Sequence, residues 1–208
     1  MARPGPRGRL IVIAAPSGAG KTTLVRALIE RNPDFVFSVS YTTRPKRPNE
    51  AHGRDYFFVS EEEFRRLQRA GEFLESARVF DHCYATSRTQ VESELAKGRN
   101  VVLEIDWQGA RQVRAVMPEC RSIFILPPSV EALEERLRSR RTDSEVVIRR
   151  RLRDSLSDLS HWDEFDYVVI NDDLERATDE LEGIATGRYR RNRVGTEATR
   201  KKLDHLLV

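Results

Sequence analysis

A parallel α/β sheet covered by helices on both faces is the fold class that this sequence predicts, and three observations predict it. Nearly continuous apolar strands near residues 10, 35, 101, 122 and 167 mostly alternate with helical patterns. The first, Leu10-Ile11-Val12-Ile13-Ala14, enters the glycine-rich stretch Ala15-Pro16-Ser17-Gly18-Ala19-Gly20-Lys21-Thr22-Thr23 and then a helical pattern at once (Leu24, Val25, Leu28, Ile29). The segment from about Ser40 to Tyr84 breaks the alternation with short strands and little apolar mass. It reads as a lobe inserted at the C-terminal edge of the sheet, where ligands of such folds bind.

Each element has a local cause. Asn32-Pro33 ends the first helix, because proline cannot continue it. Phe35-Val36-Phe37-Ser38-Val39-Ser40 reads as a strand, and the prolines and polar residues of Tyr41-Thr42-Thr43-Arg44-Pro45-Lys46-Arg47-Pro48 make a loop. Tyr56-Phe57-Phe58-Val59 is a short strand, and Ser60-Glu61-Glu62-Glu63 is a capping box opening a helix that Gly71 closes. A strand near Phe73–Phe80 precedes a helix that starts at Ser87-Arg88-Thr89-Gln90 and stops at Gly98. Val101–Asp106 is a buried strand ending in acid. Ser122–Leu126 is another, stopped by Pro127-Pro128, with Ser129 capping the helix that follows. Arginine-rich helical sequence covers Glu131–Leu159, with a break near Arg141-Thr142-Asp143. Tyr167–Ile170 is the last strand, before Asn171-Asp172 and an amphipathic C-terminal helix.

A chain of 208 residues suits one core with inserted lobes. The expected boundaries are a disordered tail (1–8), core with the glycine-rich loop (9–39), inserted lobe (40–96), core (97–135), lid (136–155) and core with the C-terminal helix (156–208). No apolar run reaches the length of a membrane span, and the N-terminus lacks a signal-peptide apolar region. Cys83 and Cys120 lie far apart with no metal or redox spacing. The expectation is a cytoplasmic chain with no membrane partner. Lysine and arginine number 36 against 33 acidic residues, a net charge of +3. The arginine clusters Arg136–Arg153 and Arg188–Lys202 lack interleaved aromatics and any recognisable nucleic-acid module. The second reads as a solvated helix face, so no nucleic-acid partner is expected. The four histidines show no triad or metal spacing. Monomer and homo-oligomer are equally compatible with the chain.

Strand, glycine-rich turn, Gly-Lys-Thr and helix in that order form the P-loop pattern. Its successive N–H groups make a nest for nucleotide phosphates, aided by the helix N-terminus. Lys21 is the candidate for the β- and γ-phosphates, and Thr22 for Mg²⁺. Ala15 stands where the motif's first glycine usually lies. Glu104 and Asp106, two apart on a strand, project to one face. A carboxylate ending an apolar strand beside a P-loop commonly holds Mg²⁺ directly or through water, and an unpaired charge inside the apolar run would be costly.

Ser38–Pro48, Gly53–Val59, Glu75 and Tyr84-Ala85-Thr86-Ser87 resemble the nucleotide-monophosphate lobe of the guanylate kinase family. Glu104-Ile105-Asp106-Trp107-Gln108-Gly109-Ala110 and Asn171-Asp172 continue the resemblance, which runs from Arg9 through the last helix. It implies a P-loop core, an inserted GMP lobe and a small helical lid. It also implies Mg-dependent transfer of the ATP γ-phosphoryl group to GMP or dGMP. Arg44, Arg47, Tyr56 and Tyr84 would hold the monophosphate, since a dianion calls for charge-assisted donors. Glu75 would accept N1–H and the N2 amine of guanine, with Ser40 and Thr86 on the O6 edge. Adenine lacks that donor pair and would leave the carboxylate unpaired. Glu104 belongs to the same site, and Asp106 would serve both the base edge and the Mg²⁺ water shell. Arg136, Arg140 and Arg151 would be lid arginines that act with Lys21 and Arg44 on the transferring group. Asn171 would lie near the ATP ribose and adenine.

The chain departs from the family pattern in three places. Asp81-His82-Cys83-Tyr84-Ala85 replaces Gly-Asn-Tyr-Tyr-Gly, Glu104 replaces Asp, and Arg141 replaces Gly. Three rival readings carry less of the sequence. A kinase acting on a ribose bisphosphate would not need the Glu75 set, a non-catalytic guanylate-kinase-like module would not need Lys21 and the lid arginines, and RNA binding rests on charge alone.

Overall fold

The computed structural model describes residues 7–79, 81–139, 145–189, 192–197 and 199. In chain order the elements are β1 (Leu10–Ala14), α1 (Lys21–Arg31), β2 (Phe35–Phe37), β3 (Tyr41–Thr42), β4 (Phe57–Phe58), α2 (Glu61–Arg69), β5 (Phe73–Val79) and β6 (His82–Ser87). There follow α3 (Arg88–Ala96), β7 (Asn100–Glu104), α4 (Trp107–Val116), β8 (Arg121–Leu126), α5 (Val130–Ser139), α6 (Glu145–Leu159), β9 (Tyr167–Ile170) and α7 (Leu174–Thr186). They form two compact units, which divide within β1: residues up to 12 with 33–120, and 13–32 with 121–208.

In the first unit the strand order is β2-β7-β1, with β2 and β7 parallel from Phe35↔Asn100 to Phe37↔Val102. The Val101 N–H donates to the Arg9 carbonyl at 2.8 Å, which sets β7 beside the start of β1. A second sheet of order β4-β3-β6-β5 is built on the antiparallel β5–β6 hairpin. Phe64, Phe73 and Ala85 are buried together under this sheet, with Tyr41 and Leu67 packed against them. Ser60 caps α2 as its sequence requires, its hydroxyl accepting from the Glu63 N–H.

In the second unit the order is β1-β8-β9, and β8 and β9 pair in parallel from Ile123↔Tyr167 to Leu126↔Ile170. Ile123 to Leu126 are all buried, as a strand covered on both faces must be. Helices α1 and α7 are joined at their surface by Arg31, which pairs with Glu175 at 2.5 Å and Asp179 at 2.7 Å.

Three elements differ from expectation. Tyr41–Thr42, read as loop, is a strand because β4 and β6 pair with it on either side. The β6 strand has no apolar run to announce it and exists through its hairpin with β5. Helix α4 lies where no helix was expected and follows Asp106, a residue read as a strand-end acid for the base edge and the Mg²⁺ water shell. Its carboxylate caps the helix at the Gly109 N–H, and Gly109, Ala110 and Val113 are buried. Phe80, the break near Arg141 and the residues Arg190, Arg191 and Arg200–Lys202 lie outside the described residues. Among the described residues no helix is long and apolar enough to cross a membrane.

Phe124 on β8 is 1% exposed, and its ring lies 5.0 Å from that of Phe165. Phe124→Ala removes a large side chain from an almost wholly buried site. Urea unfolding is expected to show about 3–5 kcal/mol less stability, with the slope unchanged.

Candidate active site

Two groups of candidate residues are gathered, one in each unit. In the first unit a β-bulge decides where Glu75 points. The β5–β6 register runs Phe73↔Ser87 and then Glu75↔Thr86, so Leu74 has no partner across the ladder. The extra residue disrupts strand alternation, and Phe73, Leu74 and Glu75 are buried in succession. Glu75 is 4% exposed and Thr86 is fully buried beside it. The Thr86 hydroxyl donates to Glu75 Oε1 at 2.6 Å. From the other side comes the first turn of α4. A Cβ on Gly109 would stand 2.5 Å from Glu75 Oε2, so only glycine lets the helix N-terminus and the carboxylate approach this closely. Gln112 fixes that approach: its amide accepts from the Ser76 N–H at 3.1 Å and donates to the Ser76 carbonyl at 2.8 Å. Helix α4 is thereby stitched to the strand that carries Glu75.

The same unit gathers the cationic and phenolic candidates. The Thr42 hydroxyl donates to the Cys83 carbonyl at 3.0 Å and accepts from the Arg44 N–H at 3.1 Å, which fixes where Arg44 leaves the sheet. The Arg44 guanidinium lies 5.3 Å over the Tyr56 ring, and Tyr56 meets Tyr84 edge-on at 5.9 Å. Arg44 donates to Glu50 Oε1 at 2.6 Å, while Glu50 Oε2 accepts from the Arg47 N–H at 2.8 Å. One carboxylate therefore holds both candidate arginines, Arg44 through its side chain and Arg47 through its backbone. The hydrogen bond from Arg44 keeps the Glu50 carboxyl below the usual carboxylate range. Burial opposes the Arg44 charge, yet Glu50 holds its pKa above the ordinary arginine value. Burial first, and the nearby Glu104 carboxylate second, push the Tyr56 phenol up to about 12, so it stays a hydrogen-bond donor throughout the physiological range. Ser40 is buried at the entrance to β3. Asp106 spends Oδ1 on the α4 cap at 2.9 Å and accepts from the Gln108 amide through Oδ2 at 3.1 Å.

In the second unit, residues 15–20 form the turn between β1 and α1, with Gly18 and Gly20 at φ of +93° and +91°. Lys21, Thr22 and Thr23 make the first turn of the helix. A Cβ on Gly18 would lie 3.1 Å from Leu133, so α5 packs directly on the loop. The loop carbonyls are taken up by side chains. Ser17 O accepts from the Ser155 hydroxyl at 3.2 Å, and Ala19 O accepts from Asn171 Nδ2 at 2.7 Å and from Arg136 Nη1 at 3.4 Å. A cavity of about 440 Å³ opens beside it, lined by Gly18, Gly20, Thr23, Arg136, Asn171 and Asp172 among others. Arg151 is half-buried on α6. Arg138 is tied to Glu134 and Glu145, and Arg149 to Glu145, as arginines outside the site would be. Arg140 lies outside the described residues.

Sequence reasoning missed Glu50, Gly109, Gln112 and Ser155. Only Glu50 carried a local signal, an acid three residues after Arg47 in a proline-bounded turn. The others act through contacts across 34 or more residues. Among the described residues no cluster of three or more His, Cys, Asp or Glu could hold a metal ion.

The Glu50 carboxyl has a lower pKa folded than unfolded. Its stabilising contribution is therefore complete above the unfolded value of about 4.3 and is lost as pH falls through the lower folded value. Thermal melts between pH 6 and 3 are expected to show a steeper acid loss for the unaltered chain than for Glu50→Gln.

Comparison with known proteins bears on these two groups. The family model described as guanylate kinase matches residues 7–186. A guanylate kinase of Methylococcus capsulatus is 57% identical over 178 residues, covering 86% of this chain and 87% of the relative. One of Pseudomonas fluorescens is 47% identical over 201 residues, covering 97% of this chain and 96% of the relative. The crystal structure of guanylate kinase from Anaplasma phagocytophilum superposes with a TM-score of 0.74 at 34% identity, covering 96% of this chain and 95% of that one. The chain that carries this P-loop and this carboxylate-bearing lobe belongs to the guanylate kinase family.

Proposed function

We propose that this chain transfers the γ-phosphoryl group of ATP to GMP or dGMP, giving ADP and GDP or dGDP. The observation that carries the reading is that a guanidinium–tyrosine cluster and a buried carboxylate–hydroxyl pair share one four-stranded sheet. A monophosphate and a purine at opposite ends of one nucleotide fit such a pair of subsites. Arg44, Arg47, Tyr56 and Tyr84 hold the phosphate with charge-assisted and phenolic donors. Glu75 accepts the two adjacent N–H groups of guanine. Ser40 reads the O6 edge, and Thr86, whose proton goes to Glu75, orients that carboxylate. Glu104 and Asp106 complete the acidic side of the subsite. In the second unit residues 15–23 cradle the ATP phosphates, with Lys21 on the β- and γ-phosphates.

Thr22 stands exposed in the first turn of α1, and a hydroxyl is a hard oxygen ligand of the kind Mg²⁺ takes. With the phosphates it would hold Mg²⁺, and Asp106 would join through water. The ion when bound neutralises charge on the phosphates. The attacking oxygen of GMP is already ionised, so no general base is required. The protein's part is positioning and charge stabilisation, for which Arg136, Arg140 and Arg151 supply guanidinium groups. In-line transfer also requires the two bound phosphates to be brought together with water excluded.

The test is ADP release from Mg·ATP against GMP, dGMP, AMP, CMP, UMP and ribose 1,5-bisphosphate. Turnover is expected with GMP and dGMP alone and is abolished by chelating the divalent ion. Lys21→Ala is expected to lower kcat by about 10²-fold or more, the cost of losing one transition-state donor. Glu75→Ala should raise KM for GMP and relax base choice. Turnover on another acceptor would overturn the role of Glu75, and none on any acceptor would favour a binding module.

Gly109 yields a separate expectation. Gly109→Ala drives a methyl group against Glu75 Oε2, so KM for GMP is expected to rise by about tenfold while KM for ATP holds, as initial rates would show.

A further inference from the structure

We propose that Asn171 is a positioning residue for the P-loop, bracing the Ala19–Gly20 peptide so that the Gly20 N–H faces into the phosphate cradle. This rests on the reading of residues 15–23 as the ATP-phosphate site, and it gives Asn171 work other than contact with the ribose or adenine.

Four observations carry it. Asn171 Nδ2 donates to the Ala19 carbonyl at 2.7 Å. A trans peptide holds its C=O and N–H in opposite directions, so a carbonyl drawn toward Asn171 turns the next N–H the other way. The anchor is stiff. Asn171 is 7% exposed, and its own N–H donates to the Leu126 carbonyl at 2.8 Å, continuing the β8–β9 ladder. The fit is close on the loop side, where a Cβ on Gly20 would stand 2.2 Å from Asn171 Nδ2. Gly20 is thus required by the brace as well as by its φ of +91°. Finally, Arg136 spans the same joint, donating to the Asn171 carbonyl at 3.0 Å and to the Ala19 carbonyl at 3.4 Å. The Ser155 hydroxyl treats the Ser17 carbonyl in the same manner, two peptides earlier. With the Ser17 and Ala19 carbonyls held by side chains, the N–H groups of the same peptides turn the other way, as an anion nest needs.

The experiment compares Asn171→Ala and Asn171→Asp with the unaltered chain by calorimetric titration of ATP, adenosine, inorganic tripolyphosphate and GMP. Tripolyphosphate has no base, so it reads the loop alone. For Asn171→Ala, ATP and tripolyphosphate are both expected to weaken by about tenfold, the loss of one well-made hydrogen bond, while adenosine and GMP are unchanged. Asn171→Asp should weaken them further, because a carboxylate oxygen would face the Ala19 carbonyl oxygen. Ser155→Ala should move tripolyphosphate in the same direction by a smaller factor. If ATP and adenosine weaken and tripolyphosphate does not, Asn171 contacts the base and the brace is wrong. Unchanged tripolyphosphate affinity in all three variants, or equal loss of every ligand including GMP, also overturns it. Should Asn171→Asp fail to fold, Asn171→Ala and Ser155→Ala decide alone. A chain that binds tripolyphosphate in this Asn171-dependent way yet phosphorylates no GMP would keep the brace and remove the proposed function.

Discussion

A carboxylate held almost wholly out of water is the constraint on which the first unit depends. Burying Glu75 is costly unless donors surround it, and the unit is arranged to bring them. The Thr86 hydroxyl comes from the opposite strand, in register only because Leu74 bulges out of the ladder. The amino end of α4 comes from outside the sheet, with the positive end of its dipole near the carboxylate. That approach in turn demands a glycine at 109, a cap at 106 and the Gln112 stitch to β5. Remove any one, and the position of the carboxylate is no longer determined.

The phosphate sites proposed for the two units solve a different problem by similar means. An anion is bound best by donors already pointing at it, since turning them after arrival costs free energy. In the first unit Glu50 holds two arginines while leaving a net positive balance among the three side chains. In the second, backbone carbonyls are tied back by side chains from α5, α6 and the end of β9. Both devices hold an acceptor with a fixed donor before any ligand arrives.

What the sequence made legible were features with local causes. The P-loop is a contiguous pattern, Ser60 caps three residues ahead, and the apolar strands announce themselves by composition. What it hid were features made by partners distant in the chain. The β6 strand has no apolar alternation and forms because β5 folds back on it. Asp106 read as a metal ligand because a strand-end acid is ambiguous, and only the fold reveals that it also caps α4. Asn171 was legible as a member of the site through resemblance alone. Its hydrogen bond to Ala19, 152 residues away, has no signature that one-dimensional reading could detect.

The bulge at Leu74 has a consequence for which changes of the strand could turn Glu75 away. Because Phe73 lies opposite Ser87 and Glu75 opposite Thr86, deleting Leu74 would close the ladder with Glu75 still across from Thr86. Drawing Leu74 into the ladder at unchanged length would instead move Glu75 opposite Ala85 and turn it to the other face. The direction of the carboxylate proposed to read the base is thus set by register as much as by composition. A slip of one residue could turn the acid away without changing any side chain, and the bulge is what holds the strand against that slip.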